Sequence, residues 1–336
     1  MKTLVCFIAF LLFLPLDRTL ASSDPCAPAN QPDPRTLRSD QITVLINGYS
    51  ESRIPLLHSL AATYSASALV SAVLVLWGNP STSALTLSEL AHNLSLSSFG
   101  QSTITVVRQS SASLNARFLP RSSIRTHAVL ICDDDVEVDP KSLEFAFRVW
   151  SSNPDRLIGF FARSHDIDLL SRSWIYTVHP DKYSIVLTKF MILKIQYLFQ
   201  YSCGGGAKMG EMRRIVDQMQ NCEDILMNFV VADAANAGPI LVGAKRVRDW
   251  GDPRNNDHVD RDDIDKRFRL KDTVKEVGLS SRRGEHRKRR GDCIRKFHKS
   301  LGRMPLTYSY GKTVNSVGEQ GLCMKGGKLV FCDQFF

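Results

Sequence analysis

Three consecutive carboxylates, Asp133, Asp134 and Asp135, follow an apolar run in LICDDDVEV. Like charges this close repel, so a chain that sets them side by side usually supplies a cation or gives them chemical work. If extended geometry persists through the triplet, Asp133 and Asp135 share one side while Asp134 faces the other. Paired carboxylates at a strand end suit a hard divalent cation, which binds through oxygen, keeps waters and takes phosphate oxygens as further ligands. The plain alternative is an acidic turn. Asp139-Pro140 has the form of a helix N-cap with proline at the first helical position, opening a helix over 141–152. That cap accounts for Asp139 and leaves the triplet unexplained, so the metal–phosphate reading stands ahead.

The elements that must position these acids have a clear rhythm. ITVLI (42–46), SAVLVLWGN (71–79), TITVVRQ (103–109) and HAVLIC (127–132) read as strands. IPLLHSLAATYSAS (54–67) and LTLSELAHNLS (85–95) read as helices between them. Such alternation predicts a parallel sheet covered on both faces, with ligands bound at the carboxyl ends of its strands. Those ends read NGY, WGN, RQSS and DDD. The triplet therefore falls on the functional rim of the sheet.

The chain has 336 residues and a net charge of +9. That length allows one or two closely fused domains. LVCFIAFLLFLPL (4–16), preceded by Lys2, reads as a signal peptide or a short signal anchor, too short to span a bilayer comfortably. Removing residues 1–21 takes away Lys2, Asp17 and Arg18 and leaves +8. Both forms of leader deliver the body to the secretory lumen, where most cysteines pair. Cys323 and Cys332 flank a Gly326-Gly327 hairpin signal, which predicts a local bridge. Cys132, inside an apolar strand, reads as a buried free thiol. Residues 24–40 are rich in proline and polar residues and read as a linker. Asn93-Leu94-Ser95 matches the N-glycan acceptor pattern.

The stretch LICDDDVEVDPKSLEFAFRVWSSNPDRLIGF resembles the core of the exostosin-like glycosyltransferases, glycosyltransferase family 64, and in particular its short plant members. DKYSIVLTKFMIL (181–193), QNCEDILMNFVVA (220–232) and RMPLTYSYGKTVNSVGEQGLC (303–323) continue the likeness from about residue 41 onward. The resemblance implies an α/β GT-A fold, with a Rossmann-like nucleotide-binding half over 41–138 fused to an acceptor-binding and catalytic half over 139–336. It implies a nucleotide-sugar donor, UDP- or GDP-linked, Mn²⁺, and transfer with retention of anomeric configuration. The acceptor would be a glycan or a glycosylinositol phosphorylceramide-type lipid in the Golgi, which brings a membrane surface close. By the same resemblance Asp135 is the metal ligand, and Asp133, Asp134, Arg53, Asn79 and Arg117 contact the donor. Asn115 stands where the family carries a further arginine.

A second set of matched residues lies downstream. Asp224 matches the acid placed beside the reacting sugar carbon, as stabiliser of an oxocarbenium-like centre or as nucleophile. Glu223 replaces an acid commonly found there. Without the resemblance, Asn221 and Asp224 read as the cap of a helix. Arg290 matches an arginine that approaches the donor diphosphate, and Cys222 matches a cysteine bridged to Cys293. Taken alone, the basic segment 281–293 reads as a solvated face or a loop, and a lumenal protein has little use for nucleic-acid binding. Residues 247–267 read as an exposed charged loop, and CGGGAKMG (203–210) as a loop rather than a phosphate cradle.

Two other function classes compete. An apolar strand followed by D-x-D-V also resembles the haloacid dehalogenase phosphatases, but there the motif ends the first strand and here it ends the fourth. A non-catalytic relative that binds a glycan or scaffolds a complex is the other alternative, and the retained Asp135 and Asp224 speak against it.

Overall fold

A computed structural model describes residues 24–98, 102–251, 283–315, 322–325 and 327–331. The leader over 1–21 and the Cys323–Cys332 bridge lie outside them. The alternation expected from the sequence is present as β1 (Arg38–Gly48), α1 (Ile54–Ser65), β2 (Val70–Trp77), α2 (Ala84–Leu96), β3 (Thr103–Arg108) and β4 (Thr126–Asp133). There follow β5 (Val136–Val138), α3 (Pro140–Ser151), β6 (Ile158–Gly159), β7 (Ala162–Asp168), β8 (Ser173–Thr177), β9 (Lys182–Tyr183), β10 (Ile185–Val186) and β11 (Phe190–Lys194). The remainder holds α4 (Ile195–Ser202), α5 (Gly206–Met219), α6 (Glu223–Ala235), β12 (Ile240–Leu241), β13 (Val247–Asp249), α7 (Arg283–Leu301), β14 (Ser309–Tyr310) and a hairpin of β15 (Leu322–Lys325) and β16 (Lys328–Phe331).

The main sheet has seven strands in the order β12-β6-β11-β4-β1-β2-β3. Strands β1 to β4 are parallel, as expected, but β11 enters antiparallel to both β4 and β6. The sheet is therefore mixed, and strands from both sides of residue 139 share it. Its register lines up the rim: Asn47 pairs with Asp133, Gly48 with Trp77, and Trp77 with Arg108. Period-two alternation divides the buried residues between two faces. Val44 and Ile46 pack with Leu57, Tyr64 and Trp150 of α1 and α3, while Leu45 and Ile131 pack with Leu198, Phe229 and Phe297 of α4, α6 and α7. Each fully buried side chain of this size is worth roughly 1.5–3 kcal/mol.

Local signals act where the chain must turn. Asp139 caps α3, its carboxylate accepting from Lys141 N at 3.1 Å and Ser142 N at 3.0 Å, with Pro140 at the first turn. Residues 24–37 form two short 3₁₀ turns and are held to the body by a Cys26–Cys203 disulfide. Two expected loops are corrected: the glycine-rich stretch starts α5 at Gly206, and Val247–Asp249 pairs with β5, residues 252–267 lying outside the described ones. The basic segment is helical from Arg283 and keeps a solvated face with Glu285, Arg287 and Lys288 exposed. The helical spacing of the basic segment is masked in sequence by its many charges, because only its packed face is apolar. Among the described residues no helix is long and apolar enough to cross a membrane.

Two predictions follow from the packing. The Cys26–Cys203 bridge closes a sequence separation of 177 residues, so replacing both cysteines by alanine should cost about 2–4 kcal/mol in denaturant unfolding. His165 is buried, accepts or donates to Ser184 Oγ at 2.7 Å, and stacks on Tyr308 at 4.6 Å. Burial holds its pKa down to about 4. The unfolded chain then binds the proton more readily, so stability falls as pH drops from about 6.5 towards 4. Between pH 6.5 and 5 the His165 share is about 1.5 kcal/mol, and His165→Gln should remove it from the pH dependence of melting.

Candidate active site

The rim of β4 does not keep strand geometry through the acid triplet. Asp133 ends β4, and Asp134 and Asp135 form the turn into β5. The expected alternation therefore fails, and the acids sort differently. Asp134 and Asp135 converge on one guanidinium: Arg53 Nη1 donates to Asp134 Oδ1 at 2.8 Å and to Asp135 Oδ2 at 3.0 Å. Arg53 reaches them from the 3₁₀ turn Glu51–Arg53 that leads from β1 into α1. Asp133 takes a second guanidinium, accepting from Arg117 Nη1 at 3.1 Å.

Arg117 carries the network across to α6. The same Nη1 lies 3.2 Å from Glu223 Oε1. Arg117 is buried, held by the 3₁₀ turn Leu114–Phe118. Burial opposes its charge, but Glu223 and Asp133 outweigh burial and raise its pKa. Burial raises the pKa of Glu223 and Arg117 opposes it. Thr188 Oγ1 donates to the same Glu223 oxygen at 3.3 Å.

The third guanidinium is Arg290 of α7. Its Nη2 donates to Asp224 Oδ2 at 2.6 Å and its Nη1 to Asn221 Oδ1 at 3.0 Å. The Tyr176 ring lies under it at 4.5 Å, a cation–π contact. Asp224 and Arg290 are both buried. Helix α6 starts differently from the expected cap: Cys222 holds the N-cap position, with no side-chain capping bond, and Asn221 instead orients Arg290. Gln220 and Cys222 both take left-handed φ, 47° and 78°. Non-glycine residues pay about 1–2 kcal/mol each for this conformation. The Cys222–Cys293 disulfide clamps this corner to α7, three residues beyond Arg290.

Five carboxylates thus face three guanidiniums, an excess of two negative charges at full ionisation. The deficit is sharpest at Asp135. Burial and then the neighbouring Asp133 push its carboxyl up to about 7. Burial also raises Asp134, against the pull of Arg53. Asp135 Oδ1 is buried without a hydrogen-bond partner. Trp250 N donates to its carbonyl at 2.8 Å. A Cβ on Gly251 would collide with Asp135 Oδ2, so only glycine fits beside the carboxylate. Among the described residues no three His, Cys, Asp or Glu side chains are arranged to hold a metal by themselves.

Asn79 stays outside the network: it sits two residues past the end of β2, and its Oδ1 accepts locally from Ser81 N at 2.9 Å. Asn115 is turned to α5, donating to Asp217 Oδ1 at 2.8 Å and to Arg213 O at 3.0 Å. Tyr176, Thr188 and Gly251 were not singled out by the sequence. Tyr176 carries a weak signal, since it alternates with Trp174 in β8 and both face α7. A separate cavity of about 210 Å³ lies between Thr63, Glu137 and Arg248. Its acids are already engaged, Glu137 by Trp250 Nε1 and Asp139 by the α3 cap, so the chemistry belongs at the rim.

The sequence comparisons cover most of the chain. The glycosyl transferase family 64 domain matches residues 42–318. The chain is 64% identical to glycosyltransferase family protein 64 C3 of Arabidopsis thaliana over 333 residues, 98% of both chains. It is 33% identical to exostosin-1a of Danio rerio and 34% to exostosin-1 of Mus musculus, each over 212 residues. Those matches cover 61% of this chain but only 25% of either exostosin. The phosphatase alternative is thereby set aside. The mixed α/β sheet, the acid-lined rim and these matches lead to one conclusion: the chain belongs to glycosyl transferase family 64 and is a glycosyltransferase.

Proposed function

We propose that the chain is a metal-dependent, retaining glycosyltransferase with a GT-A arrangement, moving N-acetylhexosamine or mannose from a UDP- or GDP-linked donor. The observation that carries this reading is Asp135, a buried acid with one oxygen unpartnered on a rim two positive charges short. A hard divalent ion such as Mn²⁺ suits that carboxylate, because it accepts few protein ligands and completes its shell with phosphate and water. When bound, the ion supplies charge neutralisation for the departing nucleoside diphosphate.

The side chains of the chain do the rest. Arg53 and Arg117 hold the triplet in place against its own repulsion, and they present cationic edges to the donor phosphates. Asn79, on the same rim past β2, faces the nucleotide side. Asp224 is fixed by Arg290 and by the N–H of Ile225, which donates to its Oδ1 at 2.8 Å. An anion held this firmly stabilises positive charge on the anomeric carbon, or attacks it directly. Arg290 pairs with Asp224 and offers its remaining edge to the diphosphate. The acceptor is a glycan or a glycosylinositol phosphorylceramide-type glycolipid, and the setting is the Golgi lumen.

Asp135→Asn should abolish the thermal stabilisation that Mn²⁺ plus UDP or GDP gives the wild type, about 2–3 kcal/mol at saturating ligand, and lower transfer by about 10²-fold or more. Unchanged stabilisation would reject the site. Arg290→Ala is a poor probe, since it strands buried Asp224 at a cost of about 3–5 kcal/mol. Arg290→Lys keeps the charge but loses the paired donors. It should fold and lose about 10–100-fold in kcat, read as donor hydrolysis with a panel of nucleotide sugars. A non-catalytic glycan binder would turn over none of them.

A further inference from the structure

Strands β7 and β8 form a hairpin that the site does not use. Ile167 pairs with Trp174 and Asp168 with Ser173, and the chain turns through 169–172. At this apex Leu169 is 80% exposed and Leu170 98%. The turn is shaped to show them. The Asp168 carboxylate accepts from Leu170 N at 3.1 Å and from Ser171 Oγ at 2.5 Å, and Arg172 takes a left-handed φ of 49°. The polar groups of the turn thus satisfy one another, and two adjacent leucines are left in solvent.

Behind the apex stands Trp174, half-buried and edge-on to His298 of α7 at 5.8 Å. Its carbonyl accepts from Arg295 Nη1 at 2.7 Å. Helix α7 runs toward the apex, since Gly291 packs beside Ile175 and Tyr176 while Arg295 and His298 reach Trp174. Its exposed Lys299 lies at that end, and Arg172 is exposed on the turn itself, while Lys296 reaches back to Met219 Sδ of α5 at 3.8 Å. The nearby acids are engaged: Asp292 by Arg295, Asp166 by His179 and Lys182, and Asp168 within the turn. An apolar apex, an indole behind it and exposed cations beside and behind it follow the order of a bilayer boundary: acyl chains, interface, anionic headgroups. A convex tip of two leucines also needs a fluid apolar phase more than a shaped pocket.

We propose that the β7–β8 hairpin seats the protein on a lipid bilayer bearing anionic headgroups. Leu169 and Leu170 enter the acyl boundary, Trp174 lies at headgroup depth, and Arg172 and Lys299 face the anionic lipids. The apolar area is small, so attachment is reversible and weakens with salt. This role is independent of which sugar the enzyme moves.

The test is co-sedimentation of the purified full chain with phosphatidylcholine vesicles, with and without about one third phosphatidylserine. The wild type should bind the mixed vesicles more tightly than the neutral ones. Leu169→Asp/Leu170→Asp should melt at the wild-type temperature and bind the mixed vesicles about tenfold or more weakly. Arg172→Glu/Lys299→Glu should erase the preference for phosphatidylserine. Equal vesicle binding by wild type and leucine variant overturns the proposal. So does a wild-type self-association that the leucine variant alone abolishes while vesicle binding is unchanged, since that gives the apex to a second copy.

Discussion

The structure depends on burying like charges at the carboxyl ends of the parallel strands in a mixed sheet. A carboxylate taken from water is expensive unless it is paired and hydrogen-bonded, and here five are gathered in one region. Three arginines from three different parts of the chain make this tolerable. Arg53 comes from the turn after β1, Arg117 from the 3₁₀ turn before β4, and Arg290 from the last long helix. Each guanidinium ties two partners, so the network fixes the relative positions of α1, α6, α7 and the β4 rim. It also remains incomplete, because the acids outnumber the cations. An apoprotein poised in this way gains most from a ligand that brings positive charge.

Much of this was readable in the chain before any coordinates. The first four strands and two helices follow from hydrophobic periodicity, because each buries a regular face. The Asp139-Pro140 start of α3 was equally plain, since its cap is local chemistry. The mixed character of the sheet was not, for β11 and its neighbours are two to five residues long and carry no period of their own. Helix α7 was hidden for another reason. Its exposed face is so basic that composition outweighed the spacing of Cys293, Ile294 and Phe297, which are fully buried.

The candidate site divides along the same line. The triplet announces itself because adjacent acids are costly, and Asp224 and Arg290 entered through family resemblance rather than spacing. The partition of the triplet between Arg53 and Arg117 was out of reach. It depends on the chain leaving β4 at Asp133, which turns the next two side chains toward one partner. The link from Arg117 to Glu223 joins residues 106 apart in sequence and is visible only in three dimensions. Asn79 shows the converse: its place on the rim is legible, while among the described residues its side chain bonds locally to Ser81 N.

The Cys222–Cys293 bridge has a consequence beyond cohesion. It joins the residue just before the Glu223-Asp224 pair to the helix that delivers Arg290, across a corner with two strained backbone positions. Without that covalent link the ion pair, the Asn221–Arg290 hydrogen bond, the Tyr176 ring and the Phe229–Phe297 contact still hold acid and guanidinium together. The bridge therefore makes covalent an alignment that those contacts set, and narrows how far Asp224 and Arg290 can part when the corner fluctuates.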